Sequence, residues 1–182
     1  MYHYSPLSQV PGILKHRGIH PREVLRARGI EFRDDPLRWS NRPQKAEALA
    51  GYVAIGVIRP WGMMQHDTDC VVFGIKSDIL MRDGTAFIGD WSSSGDIRDL
   101  TDVDEKTGVA SFDAMFDNPT TNWPSPIPGE VLIRGTISDS DVTYLYVRSQ
   151  DHLDKVNRAC VDAGVTLQPP YRALIRPEMF PS

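Results

Sequence analysis

The chain has 182 residues, the size of one domain, and its 41% hydrophobic content supports a core and excludes a disordered protein. A formal net charge of -4 removes any global pull toward nucleic acid or an anionic membrane. The 20 lysines and arginines still leave room for a local basic patch.

The two cysteines, Cys70 and Cys160, lie too far apart for a metal-type pair or a disulfide framework, and are read as buried free thiols in a reducing compartment. The opening MYHYSPLSQV has no charged segment followed by an apolar one, so it is not a secretory signal. No run is long enough to span a bilayer, and a cytoplasmic location is expected.

In chain order, YHYS at 2–5 predicts a first strand. VPGILKHRG at 10–18 predicts a short helix, with Val10, Ile13 and Leu14 on one face, Pro11 in the first turn and Gly18 as the C-terminal cap. HPREVLRARG at 20–29 predicts a second helix with Val24 and Leu25 inward. Residues 30–48 are polar and irregular. YVAIGVI at 52–58 and CVVFGI at 70–75 read as buried strands, the first stopped by Pro60 and Gly62. SDILMRD predicts a helical turn capped by Ser77. Residues 83–127 hold two strand fragments at most, and a connection of that length usually carries function. EVLIRGTI at 130–137 and TYLYV at 143–147 predict strands. DHLDKVNRACVDAG at 151–164 predicts an amphipathic helix with Leu153, Val156 and Val161 on one side, and YRALI at 171–175 a last strand. Strands and helices do not alternate regularly, so the expected fold is α+β, with two small sheets packed against helices in a single domain spanning 1–182.

Several constellations carry little. His66, Asp67 and Asp69 in HDTDC suit a solvated turn better than a metal site, because no second histidine-rich element supports them. GDWSSSGD at 89–96 lacks the lysine of a phosphate-binding loop. Aromatic residues do not interleave with a basic stripe, so composition makes no case for a nucleic-acid stacking platform.

Glu130 is different. In SPIPGEVLIRGTI it opens a run of strand formers and shares a face with Leu132. A carboxylate aimed at a core is costly unless it is paired or has chemical work to do, although a strand-end acid can also simply reach water.

Four blocks in order, YHYSPLSQVPGILKHRGI, RDDPLRWSN through YVAIGVIRPWGMM, CVVFGIKSDILMRDGTAFIGDWSSS and PSPIPGEVLIRGTISDSDVTYLYV, resemble the DarT-type ADP-ribosyltransferases. The resemblance covers roughly residues 1–150 and rests on the order of the blocks. It implies an ADP-ribosyltransferase-like fold and an enzyme of the glycosyltransferase class. Such an enzyme consumes NAD as co-substrate, needs no metal, and attaches ADP-ribose to a base in single-stranded DNA. It also implies a toxin or anti-phage effector with a macrodomain antitoxin.

Position by position, the resemblance makes Glu130 the catalytic glutamate and Arg38 the active-site arginine, with Arg42 and Arg33 as rivals. His3, Tyr4 and Ser5 fall where the nicotinamide and its ribose are held, joined by Arg42 and by Met64 as an apolar neighbour of the nicotinamide. Trp123 would stack on the acceptor base. Each has a plainer alternative: Ser5 as a helix cap, Arg38 in a surface pair with Asp34 or Asp35, Met64 as core filler, Trp123 as a plug ordering its proline-rich loop. Many relatives carry glutamine two residues before the glutamate, where this chain has Pro128. That departure leaves open an acceptor of RNA or protein, or a module that binds NAD without transferring it.

Overall fold

The computed structural model describes residues 1–31, 47, 49–57, 69–88, 103–116, 130–167 and 171–180. The fold is α+β, with a large sheet and a two-stranded one. The chain divides into two compact units, each assembled from separate stretches of sequence: Met1–Ile19, Ile58–Ile79 and Ile137–Ser182 in the first, His20–Val57 and Leu80–Thr136 in the second.

In the first unit the strands run in the order β1 (Tyr2–Pro6), β4 (Cys70–Ile75), β8 (Val142–Val147) and β9 (Arg172–Ile175). β1 pairs antiparallel with β4, and β4 with β8. β8 and β9 are parallel, because the helix Gln150–Asp162 (α4) carries the chain back between them. Apart from this ladder, β2 (Gly18–Ile19) pairs with β7 (Ile137–Ser138). The helix Val10–Lys15 (α1) follows β1, and it ends differently from the sequence expectation. Arg17, at φ 57°, takes the left-handed position predicted for glycine, while Gly18 enters β2. The cost of a left-handed arginine is offset by tertiary contacts. Arg17 Nε donates to Asp139 Oδ2 at 2.8 Å, and the Arg17 carbonyl accepts from the Asp139 N–H at 3.2 Å.

α4 also turns a different side inward. His152, Val156 and Cys160, spaced four apart, are buried, whereas Val161 is 73% exposed. The Ser149 hydroxyl caps the helix by accepting the His152 N–H at 3.2 Å. Burial raises the Cys160 thiol above its ordinary range; it and Cys70 are both buried, and neither is in a disulfide.

In the second unit, β6 (Glu130–Arg134) lies between β5 (Ala86–Ile88) and β3 (Tyr52–Gly56), both antiparallel to it. The helix Arg22–Ala27 (α2) is tied to the start of this layer through the Glu23 N–H, which donates to the Ala50 carbonyl at 2.8 Å. The predicted strand over 130–137 stops at Arg134, because Gly135 turns the chain at φ 77° and donates to the Gly51 carbonyl at 2.9 Å. A helix over Gly108–Phe116 (α3) was not expected. Its sequence, GVASFDAMF, opens on glycine and carries no strong apolar stripe. Tertiary packing holds it, with Phe112 edge-on to Phe87 at 5.3 Å between ring centroids. Leu49, Ala86, Ile88, Val103 and Leu132 form one core cluster of this unit, with Tyr52 and Ala54 against them.

His152 makes the first unit sensitive to pH. Its Nδ1 accepts the Arg148 N–H at 3.3 Å, and its Nε2 has no hydrogen-bond partner among the described residues. Burial lowers its pKa below the ordinary value of about 6.5. Arg148 and Lys155 push the same way, and Asp69 and Asp151 oppose. The neutral ring is therefore the form the fold favours. Its stabilising effect is complete above the unfolded pKa and is lost as pH falls from there toward the folded one. Chemical denaturation between pH 7.5 and 5 should show stability falling with pH, and His152→Phe should flatten that slope; an unchanged slope in the variant would assign the loss to other groups.

Candidate active site

Val131, Leu132 and Ile133 are all buried, so β6 is covered on both faces as well as hydrogen-bonded on both edges. One end of this strand carries Glu130, which is half-buried. Strand alternation puts its side chain on the face of Leu132, the face that holds the unit's core cluster. The register sets Gly56 beside it on β3 and Ile88 beside it on β5. Gly56 brings no side chain, so on that flank the carboxylate is not crowded by a cross-strand neighbour. On the other flank stands the apolar wall of Ile88. A carboxylate held in this way is fixed in position at the end of an apolar row, which is where its charge acts most strongly on a bound cation.

At the other end of β6 the side chains are structural. Arg134 stands opposite Tyr52, whose phenol is pushed up by burial; Arg134 opposes that shift and Asp104 adds to it. His20 Nδ1 and the Thr136 hydroxyl are 2.9 Å apart, and Arg82 donates to the Thr136 carbonyl at 3.0 Å.

The first unit carries the other expected residues near the chain start. His3 and Ser5 share one face of β1, opposite Phe73 and Val71 of β4. The His3 ring lies 6.4 Å from that of Phe73, which in turn meets Tyr171 edge-on at 6.2 Å. Ser5 is fully buried, and its hydroxyl lies within hydrogen-bond distance of Gln9 Oε1, 3.3 Å, and of the Pro6 carbonyl, 3.4 Å. It makes no cap contact to the short 3-10 turn that follows. Tyr4 points to the opposite face, among Cys70, Val72, Met179 and Phe180. The structure thus keeps His3 and Ser5 together and separates Tyr4 from them.

Tyr171 is the residue here that sequence reasoning missed. It opens YRALI and looks like an ordinary strand aromatic, but it is buried against Phe73. Burial raises its hydroxyl pKa, and the hydroxyl finds no hydrogen-bond partner among the described residues. No local signal marks it, because its partner lies on a distant strand.

Arg33, Arg38, Arg42, Met64, Trp123 and Pro128 lie outside the described residues, as do His66, Asp67 and the segment GDWSSSGD. Asp69 lies 3.6 Å from the Lys155 ammonium, and its carbonyl accepts the Leu7 N–H at 2.9 Å. Among the described residues no cluster of three histidine, cysteine or acidic side chains could hold a metal, and no helix is long and apolar enough to cross a membrane.

No family model matches this chain, and no curated protein matches its sequence. Solved structures do match its fold. DarT from Thermus sp. 2.9 in complex with ADP-ribosylated ssDNA superposes with a TM-score of 0.64 over 99% of this chain and 95% of that one, at 12% identity. The same protein in complex with NAD+ gives 0.60 at 13% identity, covering 99% and 96%. DarTG from Thermosipho africanus in complex with ADP-ribose gives 0.65 at 14% identity over 98% of this chain, which spans 50% of that longer one. This chain therefore shares its fold with these DarT structures.

Leu132 anchors the strand that presents Glu130. Leu132→Ala should cost about 2–5 kcal/mol of folding stability, the usual loss for emptying a well-packed leucine site. Urea unfolding would measure it, and a loss under about 1 kcal/mol would mean that the core around β6 readily collapses into the space.

Proposed function

We propose that this protein is an NAD-dependent mono-ADP-ribosyltransferase that modifies a base in single-stranded DNA, with Glu130 as its catalytic carboxylate. The observation that carries this reading is a half-buried glutamate, fixed at the end of a doubly paired apolar strand, on a fold shared with DarT structures bound to NAD+ and to ADP-ribosylated ssDNA.

The chemistry needs such a group. The bond between nicotinamide and the ribose anomeric carbon breaks with its electron pair leaving on nicotinamide. The sugar is left with oxocarbenium character, as in glycoside cleavage. A preorganised carboxylate stabilises that charge without having to reorganise. A nitrogen lone pair of the acceptor base then forms the new bond to the anomeric carbon. The proton displaced from that nitrogen passes to Glu130 as general base, and from there to solvent. His3 and Ser5 are assigned to the nicotinamide and its ribose, with Tyr4 adjoining them in sequence. Arg38, with Arg42 beside it, would take the pyrophosphate, which a planar donor fork suits. Met64 would line the nicotinamide, and Trp123 would stack on the acceptor base. A role as toxin, with an antitoxin that removes the modification, follows from the same family reading, and DarTG among the structural neighbours supports it.

Incubation with labelled NAD and separate pools of single-stranded DNA, RNA and protein tests the reading. Label on the DNA is expected. Label on RNA or protein would move the acceptor, and NAD binding without label in any pool would make the chain a non-transferring module. Glu130→Gln preserves shape and removes charge. It should slow transfer about 10²–10⁴-fold with an unchanged melting curve, and a near wild-type rate would remove Glu130 from the chemistry.

A further inference from the structure

The sequences YHY in β1 and YLY in β8 each repeat tyrosine at the spacing that returns a strand to the same face. Both strands flank β4, and the register aligns Tyr2, Gly74 and Tyr144 in one row, and Tyr4, Val72 and Tyr146 in the next. This is the face of the first unit's sheet that His3 and Ser5 do not occupy. Tyr2, Tyr4 and Tyr146 pack against the buried cluster of Cys70, Val72, Met179 and Phe180, and Tyr2, Tyr146 and the more exposed Tyr144 form an aromatic row. Tyr2 meets Tyr146 edge-on at 6.3 Å, and Tyr146 meets Tyr144 at 6.0 Å.

Glycine at position 74 makes the row possible. A Cβ there would stand 2.8 Å from Thr143 Oγ1 and 3.0 Å from Tyr146 Cε2, so the Tyr146 ring rests on bare backbone. A slip in the β4–β8 register beside Gly74 lets Thr143 join the same face. Tyr144 at the end of the row is 37% exposed. Two exposed arginines rim it. Arg172 is the in-register neighbour of Tyr144 on β9. Arg176 lies near enough to Tyr146 to act on its phenol, and pairs loosely with Glu178 at 3.9 Å.

We propose that this face, with Tyr2, Tyr144 and Tyr146 as platform and Arg172 and Arg176 as rim, binds single-stranded DNA at nucleotides other than the one modified. Aromatic rings that stack on bases, beside cations that meet phosphates, are the combination by which proteins hold single strands with little sequence preference. The two exposed arginines outnumber Glu178 beside the row, so the charge placed there complements a strand although the whole chain is acidic. The inference rests on single-stranded DNA being the acceptor, and its test is independent of transfer.

The test measures fluorescence anisotropy of a labelled 20-nucleotide oligodeoxythymidine with the intact protein in the absence of NAD, over a range of salt. Tyr144→Ala combined with Arg172→Ala should weaken binding about tenfold or more, the scale of one lost base stack, and should lower the salt dependence. Tyr144→Phe keeps the ring and should bind like the parent. Equal affinity of the double variant and the parent, no binding by the parent, or a preference for an RNA strand of the same length would overturn the proposal. ADP-ribose transfer to a very short oligonucleotide is read in parallel. Loss of that transfer with the anisotropy difference intact would count against the proposed activity and leave the stacking surface standing.

Discussion

The candidate site depends on β6 being unable to slip. Pairing on both edges and burial of Val131, Leu132 and Ile133 fix its register, since a shift by one residue would exchange Leu132 with its neighbours between two packed faces and carry Glu130 and Arg134 to the opposite face. The position of the carboxylate is thus a consequence of the core packing of the residues that follow it. Gly56 and Ile88 then define its two flanks, one without a side chain and one apolar. The same constraint explains why Gly135 follows: the strand has to end before the chain can leave this layer and pair again as β7.

In the first unit, alternation does comparable work on β1. One face offers His3 and Ser5, backed by Phe73, Val71 and Tyr171; the other offers tyrosines over Val72 and Gly74. A five-residue strand therefore presents two different faces, one assigned in the proposed function to a small ligand and the other proposed to meet a single strand.

Much of this was legible in the sequence where local pattern and tertiary use agree. β4, β8 and β9 are apolar runs bounded by turn residues, and each forms close to its predicted limits. The place of Glu130 at the head of β6 was legible because an acid before VLI conflicts with the burial of the run that it opens. α3 was not, because its nine residues are held by the Phe87–Phe112 contact rather than by their own periodicity. The end of α1 was misplaced for a related reason: the Arg17–Asp139 pair joins residues 122 apart, and it outweighs the local preference for glycine. The tyrosine row was not legible, since no basic stripe runs beside it in sequence. Arg172 arrives on β9 and Arg176 just past its end, neighbours that only the fold supplies.

The central claim is that the protein transfers ADP-ribose to a single strand and does not merely release it. Mass spectrometry of a single-stranded oligonucleotide after incubation with NAD, with nicotinamide quantified in the same sample, tests it most directly. The account predicts one ADP-ribosyl unit gained on the strand for each nicotinamide released. Nicotinamide released without a matching adduct on the strand, or no nicotinamide at all, would contradict it.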